Sequence, residues 1–261
     1  MKKFVCAAFT AVVMLSACAF GGCSVGEATV QYTLSEDGTH YILSGVGGDK
    51  RGLTEYEVPA SYAAEEGGEL LPVTEIGDKA FSDCYRLSSV TLPDTVTKIG
   101  VNAFLGCAFS QFTIPESVKE IGYAAFGLCD ALKEITIPES VETLEKCAFS
   151  NCAGLEKAVV RATITVLDYK VFYNNMATQG SNVYTDTSLT EVYLPATLQK
   201  INVWALTGNF ISDIYFAGSE EQWDGLYFYE DVKNDEDKLE EKKYEKSEVL
   251  KGIKMHFNAE F

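Results

Sequence analysis

The chain has 261 residues, of which 47% are apolar and 23% charged, and its formal net charge is −17. This composition is too apolar for a disordered chain and is typical of a folded protein of one or two domains. With 21 basic residues against 38 acidic ones, the chain lacks the clustered positive charge that binding to a phosphate backbone requires. Nucleic acid is therefore not an expected partner.

The first residues have the pattern of an export signal. Lys2 and Lys3 precede a run of 14 mostly apolar residues, 4–17, which is too short to span a bilayer as a helix. The following Leu15-Ser-Ala-Cys18 resembles the lipobox of bacterial lipoproteins, in which the cysteine receives a diacylglyceryl group and becomes the N-terminus. Cleavage after Ala19 by an ordinary signal peptidase is the alternative. We therefore predict a signal peptide at 1–17 and a lipidated Cys18 with a linker at 18–29.

Two β-rich ends flank a central repetitive region. Alternating residues around Glu36-Asp-Gly38 predict a hairpin, so residues 30–72 are interpreted as an N-terminal β cap. At the other end, residues 217–261 are interpreted as a C-terminal cap with a short helix opened by Ser219 and a terminal strand at 253–257. Its acidic segment, 230–248, contains nine acidic and five basic residues and predicts a solvated loop or an exposed helix.

Residues 73–216 repeat with a period of 22 to 23 residues in most coils. The six coils begin at Val73, Val96, Val118, Val141, Ile164 and Leu198. In every coil an Ile or Leu follows after three residues, a small residue or Val after seven, Phe or Leu after eight, and Cys or Asn after eleven. Each coil then continues into a short alternating segment such as Val90-Thr-Leu92, which predicts a β-strand. The coil that begins at Ile164 carries an insertion at 176–188.

One coil cannot bury its own apolar side chains, but stacked coils bury them as continuous ladders. The fold class predicted is therefore a repeat solenoid of short, stacked parallel β-strands. We expect Phe104 and Phe126 to be central to its stability and Phe228, beside the acidic segment, to contribute less. Gly77, Gly100 and Gly122 share one register and suggest a turn with positive φ; Glu145 in the same register does not fit that explanation.

Cysteine recurs in four consecutive coils, at Cys84, Cys107, Cys129 and Cys152. Because Asn replaces it in two other coils, we expect a buried ladder of thiols, in which both residue types satisfy backbone groups, rather than disulfides. Disulfides remain an alternative, including one between Cys147 and Cys152. The chain has no C-x-x-C pair that would indicate zinc, and we expect neither a metal nor a cofactor.

The residues of the repeat resemble the BspA-like leucine-rich repeats of bacterial surface proteins. The string V-x-x-I-G-x-x-A-F-x-x-C-x-x-L-x-x-V-x-L-P is specific for that family. The resemblance implies a leucine-rich-repeat fold and an adhesion-type, non-enzymatic role at the cell surface through protein–protein interaction. Since the sequence contains no recognisable catalytic motif, we also expect no enzyme activity. A carbohydrate-binding module and an envelope scaffold without an external ligand are the alternatives.

The candidate binding site lies on the exposed side of the predicted strands. Outward residues should form one row, Thr91, Thr113, Thr136, Val159, Tyr193 and Tyr215, beside a flanking row, Ser89, Gln111, Glu134, Lys157, Glu191 and Asp213. Tyrosine is enriched at interaction hot spots, although it also simply suits strands. We predict a site for a protein or glycan ligand at Tyr193, Tyr215, Glu191, Asp213 and Thr136, beside the 176–188 insertion. The protein is expected outside the cytoplasm, held to the membrane by its lipid alone.

Overall fold

The computed structural model describes residues 10–14, 28–174, 189–234 and 238–261, the first of these segments by its backbone only. The chain winds into a solenoid in which short strands stack from coil to coil. Most of these pairings are parallel, as predicted. In chain order the strands are β1 (Thr10–Met14), β2 (Thr29–Leu34), β3 (Tyr41–Gly47), β4 (Glu55–Glu57), β5 (Ser61–Tyr62), β6 (Leu71–Ile76), β7 (Ser89–Thr91), β8 (Lys98–Ile99), β9 (Glu120–Ile121), β10 (Glu134–Ile137), β11 (Thr143–Leu144), β12 (Lys157–Val160), β13 (Val166–Leu167), β14 (Glu191–Leu194), β15 (Lys200–Asn202), β16 (Asp213–Phe216), β17 (Tyr227–Lys233), β18 (Leu239–Tyr244) and β19 (Lys254–Phe257).

The strands form two series of ladders. The first contains the parallel pair of β4 with β7 and, further along the chain, the fully parallel order β10-β12-β14-β16-β19. The second runs β3-β6-β8-β9-β11 and continues, after a break, as β13-β15-β17-β18. A 3₁₀ turn (Lys50–Gly52) and two short helices, α1 (Glu220–Gly225) and α2 (Lys246–Val249), complete the elements.

Stacked aromatic rings form the centre of the core, as the coil alignment predicts. The five rings are fully or almost fully buried, and successive centroids lie 5.1 to 5.6 Å apart. They belong to Phe81, Phe104, Phe126, Phe149 and Phe172. One coil brings two further rings, Phe109 and Phe112, into the same cluster. Each buried ring contributes about 1.5–3 kcal/mol of hydrophobic stabilisation.

The burial of Phe228 argues against the expectation that it contributes less to stability. It is 1% exposed and pairs in register with Ile201, so that it continues the interior series of Leu167 and Ile201 into the cap. The acidic segment around it is neither a loop nor a single exposed helix. Most of it is the antiparallel hairpin β17–β18, followed by α2. Aromatic residues at 227–229 pair with β15, and this pairing outweighs the high charge of the segment.

Three elements expected at the two ends of the chain are present in the structure. Strands β2 and β3 form the N-terminal hairpin, and Ser219 caps α1 by accepting a hydrogen bond from the Gln222 amide. Strand β19 is the predicted terminal strand. Strand β1, which pairs with β2, lies in the predicted signal peptide, so cleavage before Cys18 would leave β2 at the edge of its sheet.

Glycines in the turns serve close packing rather than positive φ, contrary to the prediction. A Cβ atom on Gly100 or Gly122 would lie only 2.8 Å from backbone atoms of the preceding coil. The left-handed residues come two and six positions later, for example at Asn102 and Gly106. Glu145, which the positive-φ explanation left out, has a definite role here: its carboxylate accepts a hydrogen bond of 2.7 Å from the Tyr123 amide in the preceding coil.

Side chains that bond to the backbone join neighbouring coils. The predicted thiol ladder is present: Cys129 and Cys152 donate from Sγ to the carbonyls of Phe104 and Phe126, and Asn209 uses Nδ2 in the same way toward Phe172, at 2.7 Å. All five cysteines in the described ranges are free, including Cys147. A second ladder consists of hydroxyls that donate to the first residue of the preceding coil, formed by Thr95, Ser117, Ser140 and Thr197.

Candidate functional site

The predicted outward row exists in the C-terminal half of the first ladder series. Thr136, Val159, Tyr193 and Tyr215 are register partners on β10, β12, β14 and β16, and His256 on β19 extends the row. The row is not continuous toward the N-terminus. Thr91 pairs with Glu57 on β4, while Thr113 lies outside any strand. In that coil the side chains of Phe109 and Phe112 fill the interior, and a single bridge from Gln111 to Glu134 replaces the strand.

Tyr193, Tyr215 and His256 form an exterior aromatic stack. The rings of Tyr193 and Tyr215 are nearly parallel with centroids 4.3 Å apart, and Tyr215 stacks on His256 at 4.4 Å. Lys157 places Nζ 5.0 Å from the centroid of the Tyr193 ring. Each tyrosine therefore has a neighbour on both faces of its ring, and the ring edges and hydroxyl groups are what the stack offers to a partner.

Carboxylates border the exterior aromatic stack. The Tyr193 hydroxyl donates to Glu191 Oε2 at 3.3 Å, and Asp213 Oδ1 lies 2.8 Å from His256 Nε2. Burial, followed by the nearby charge of Glu191, raises the pKa of Tyr193 to about 12. Hydrogen bonds from Ser212 and His256 lower the pKa of Asp213. At neutral pH the Tyr193 phenol is therefore neutral and the Asp213 carboxylate is ionised, as both groups usually are.

The structure brings four of the five predicted binding residues together. Glu191, Tyr193, Asp213 and Tyr215 lie on adjacent strands in matched register. Thr136 lies two strands away from Tyr193, roughly 10 Å at the usual strand spacing, because β12 with Val159 lies between them. Val159, predicted to point outward, is only 7% exposed. The 176–188 insertion and Cys18 lie outside the described residues.

Two neighbours of the site were missed by the sequence analysis. His256 is not among the predicted site residues, although its place in the terminal strand could have shown that it continues the tyrosine row. Phe261 packs edge-to-face on Tyr193, with centroids 5.3 Å apart. No repeat register covers the segment after β19, so the sequence carries no signal for this contact.

Within the described part of the chain, no group of three or more His, Cys, Asp and Glu side chains is arranged to hold a metal ion. Nor is any helix in those ranges long and apolar enough to cross a membrane.

The repeat family is established by direct comparison. The family model for the BspA type leucine-rich repeat region matches residues 71–179 and 174–235, with six copies. The chain belongs to the BspA type leucine-rich repeat family. The matched region covers more than half of the chain and includes the strands that carry Tyr193 and Tyr215, whereas β19 with His256 lies beyond it. Such repeats form a solenoid scaffold suited to interaction, which agrees with the predicted non-enzymatic class.

Two bacterial proteins of known structure share the fold, and a third matches part of the sequence. A protein from Bacteroides ovatus ATCC 8483 is 22% identical with a TM-score of 0.53, and the match covers 72% of this chain and 53% of that one. This chain thus spans about half the length of that relative. The pneumococcal vaccine antigen PcpA is 19% identical with a TM-score of 0.55, covering 75% of this chain and 42% of PcpA. A protein from Bacteroides capillosus ATCC 29799 is 36% identical over half of this chain, covering 93% of its own, with a TM-score of 0.43. The curated proteins include no significant match.

Proposed function

We propose that this chain is an exported bacterial surface protein that binds another protein through the C-terminal half of its first ladder series. The observation that carries the proposal is the exterior aromatic stack with Glu191 and Asp213 beside it. Tyrosines bury much area at low cost in side-chain entropy, and they are enriched at the energetic centres of protein interfaces. Membership of a repeat family with an interaction-type scaffold supports the same role.

The stacking geometry favours a protein over a carbohydrate as the ligand. Stacking of a sugar on an aromatic side chain requires an open ring face. Here Tyr215 lies between Tyr193 and His256, and Tyr193 lies between Tyr215 and the Lys157 ammonium group. Ring edges, hydroxyls and carboxylates are instead suited to the polar and aromatic groups of a protein surface. With a net charge of −17, the protein would repel nucleic acid.

Attachment to the membrane is proposed to occur through Cys18. The pattern that supports it is Leu15-Ser-Ala-Cys18 after an apolar run of signal-peptide length. Two acyl chains suffice for stable anchoring. Mass spectrometry of protein purified from its native membrane should find the mature chain starting at Cys18 with a diacylglyceryl adduct. A chain that begins at Phe20 without lipid would replace this proposal with secretion.

Binding can be tested with the mature protein on two panels, immobilised extracellular matrix proteins and a glycan array. We expect binding to at least one matrix protein, and we expect the Tyr193→Ala/Tyr215→Ala double variant to lose it while retaining its melting temperature. Tyr85→Ala is the matched control, since Tyr85 is 69% exposed and lies in a distant coil. Binding on the glycan array alone would favour the carbohydrate alternative. The absence of binding on both panels would favour a scaffold role.

A further inference from the structure

The chain's own segment 258–261 lies against the exterior aromatic stack. Asn258 adopts a left-handed conformation, with φ of 53°, directly after β19, and this turns the backbone toward the ends of the neighbouring strands. The Asn258 and Ala259 amides then donate to the carbonyls of Gly218 and Phe216, at 2.9 and 3.1 Å. The segment is therefore held by backbone bonds as well as by its side chains.

The contact at the end of this segment is aromatic. The rings of Phe261 and Tyr193 meet at an interplanar angle of 73°, a favourable edge-to-face geometry. Because the faces of the Tyr193 ring are taken by Tyr215 and Lys157, the edge of that ring is the part that an incoming group can reach. Phe261 thus occupies the position at which a partner would contact Tyr193.

Beside Phe261 the surface has a shallow groove of about 360 Å³. Its walls include Pro195, Ala196 and Ala217 from the ends of β14 and β16, with Arg161 and Glu139 further along, and the segment itself contributes Ala259 and Glu260. The groove thus combines small apolar residues with two charged ones, Arg161, which is ion-paired with Glu116 at 4.0 Å, and the acidic Glu139. The apolar part suits a short peptide segment that carries an aromatic residue, as Phe261 does in this chain.

We propose that the segment 258–261 is a built-in occupant of the binding surface, and that the partner is a protein segment with an exposed aromatic residue, which displaces it. This inference rests on the proposed function and specifies the partner for the same site. A tethered segment has an effective concentration in the millimolar range. A free peptide therefore competes poorly with the segment 258–261 until the Phe261 side chain is removed.

The first test measures whether Phe261 covers Tyr193. Nitration of the full mature chain with tetranitromethane, followed by peptide mapping, should show Tyr193 modified about threefold or more faster in Phe261→Ala than in the wild type. Glu260→Ala is the matched control for a change in this segment, and Tyr85 is the internal standard. Equal nitration of Tyr193 in the wild type and in Phe261→Ala would overturn the proposal.

The second test uses a fluorescein-labelled, C-terminally amidated peptide with the sequence of residues 258–261. By fluorescence polarisation it should bind Phe261→Ala at least about threefold more tightly than the wild type. A peptide with alanine in place of its phenylalanine should not bind, nor should the Phe261→Ala/Tyr193→Ala variant. Failure of the labelled peptide to bind Phe261→Ala, or binding that survives loss of Tyr193, would contradict the proposal. Either result would leave the proposed function intact if matrix binding still depends on Tyr193 and Tyr215.

Discussion

In the described part of the solenoid, one aromatic stack lies inside the coils and another lies on their outer surface. The interior stack of phenylalanines has centroid spacings of 5.1 to 5.6 Å, and the exterior stack of Tyr193, Tyr215 and His256 has spacings of 4.3 and 4.4 Å. Both arise because each coil places equivalent residues in register with those of the next. The interior rings are buried and stabilise the fold, whereas the exterior rings remain partly exposed. The same periodicity therefore serves stability inside the coils and, under the proposed function, recognition on the outer face of the strands.

The interior stack ends where the periodicity ends. Leu206 takes the place of phenylalanine in the last coil, and the core continues from Phe216 at the end of the repeats to Trp223 and Phe228 in the cap. These rings meet edge-to-face, at interplanar angles of 64° and 71°. Packing in the cap therefore depends on particular pairs of side chains rather than on translation from one coil to the next.

The largest expected effect is the loss of stability when one buried aromatic ring is removed. Phe126→Ala should lower the free energy of unfolding by about 3–5 kcal/mol, because the cavity lies between two stacked rings. Phe228→Ala should cost a similar amount, since Phe228 is equally buried and in register with Ile201. Urea unfolding measures both. A loss below about 1 kcal/mol for Phe228 would mean that the cap does not continue the core.

A smaller effect on stability should show whether a glycine is required by close contact between coils or by its backbone conformation. In Gly208→Ala the new Cβ would lie 1.7 Å from the carbonyl oxygen of Asn174, so the coils must separate, and we expect a loss of roughly 2–4 kcal/mol. Gly252 has the same φ of 84° but open space around it. Gly252→Ala should therefore show the conformational cost alone, about 1 kcal/mol. Equal losses in thermal or urea unfolding would show that the coils are free to move apart.

The third comparison concerns the ladder in which Asn209 takes the place of cysteine. Asn209→Ala removes the donor to the Phe172 carbonyl and should cost about 1–3 kcal/mol in urea unfolding. Asn209→Cys should recover part of that loss, because Cys129 and Cys152 bond to the same kind of carbonyl. If cysteine were no better than alanine at position 209, the two residue types would not be equivalent in this register.

The sequence predicts the features that repeat from coil to coil, but not the features that depart from the repeat. The coil alignment predicts the phenylalanine stack, the thiol ladder and the pairing of Tyr193 with Tyr215, because each depends only on equivalent positions in successive coils. It does not predict the hairpin β17–β18, which results from pairing with β15 in a charged segment that lacks the repeat. Nor does it predict that Gly100 is required by a contact 2.8 Å from the preceding coil, since the same residue type also serves positive φ.

The smallest expected effect lies in the exterior aromatic stack and depends on pH. Burial and the charge of Glu191 raise the pKa of Tyr193 in the folded state to about 12, above its ordinary value near 10. A raised pKa stabilises the fold fully below pH 10, and this stabilisation is lost as the pH rises through 12, because the unfolded chain then loses its proton more readily. The melting temperature of Tyr193→Phe relative to the wild type should therefore increase between pH 10 and pH 12. A difference between the wild type and Tyr193→Phe that stays constant over this range would show that the Tyr193 hydroxyl is as well solvated as in the unfolded chain, and the exterior stack would then be looser than its 4.3 Å ring spacing indicates.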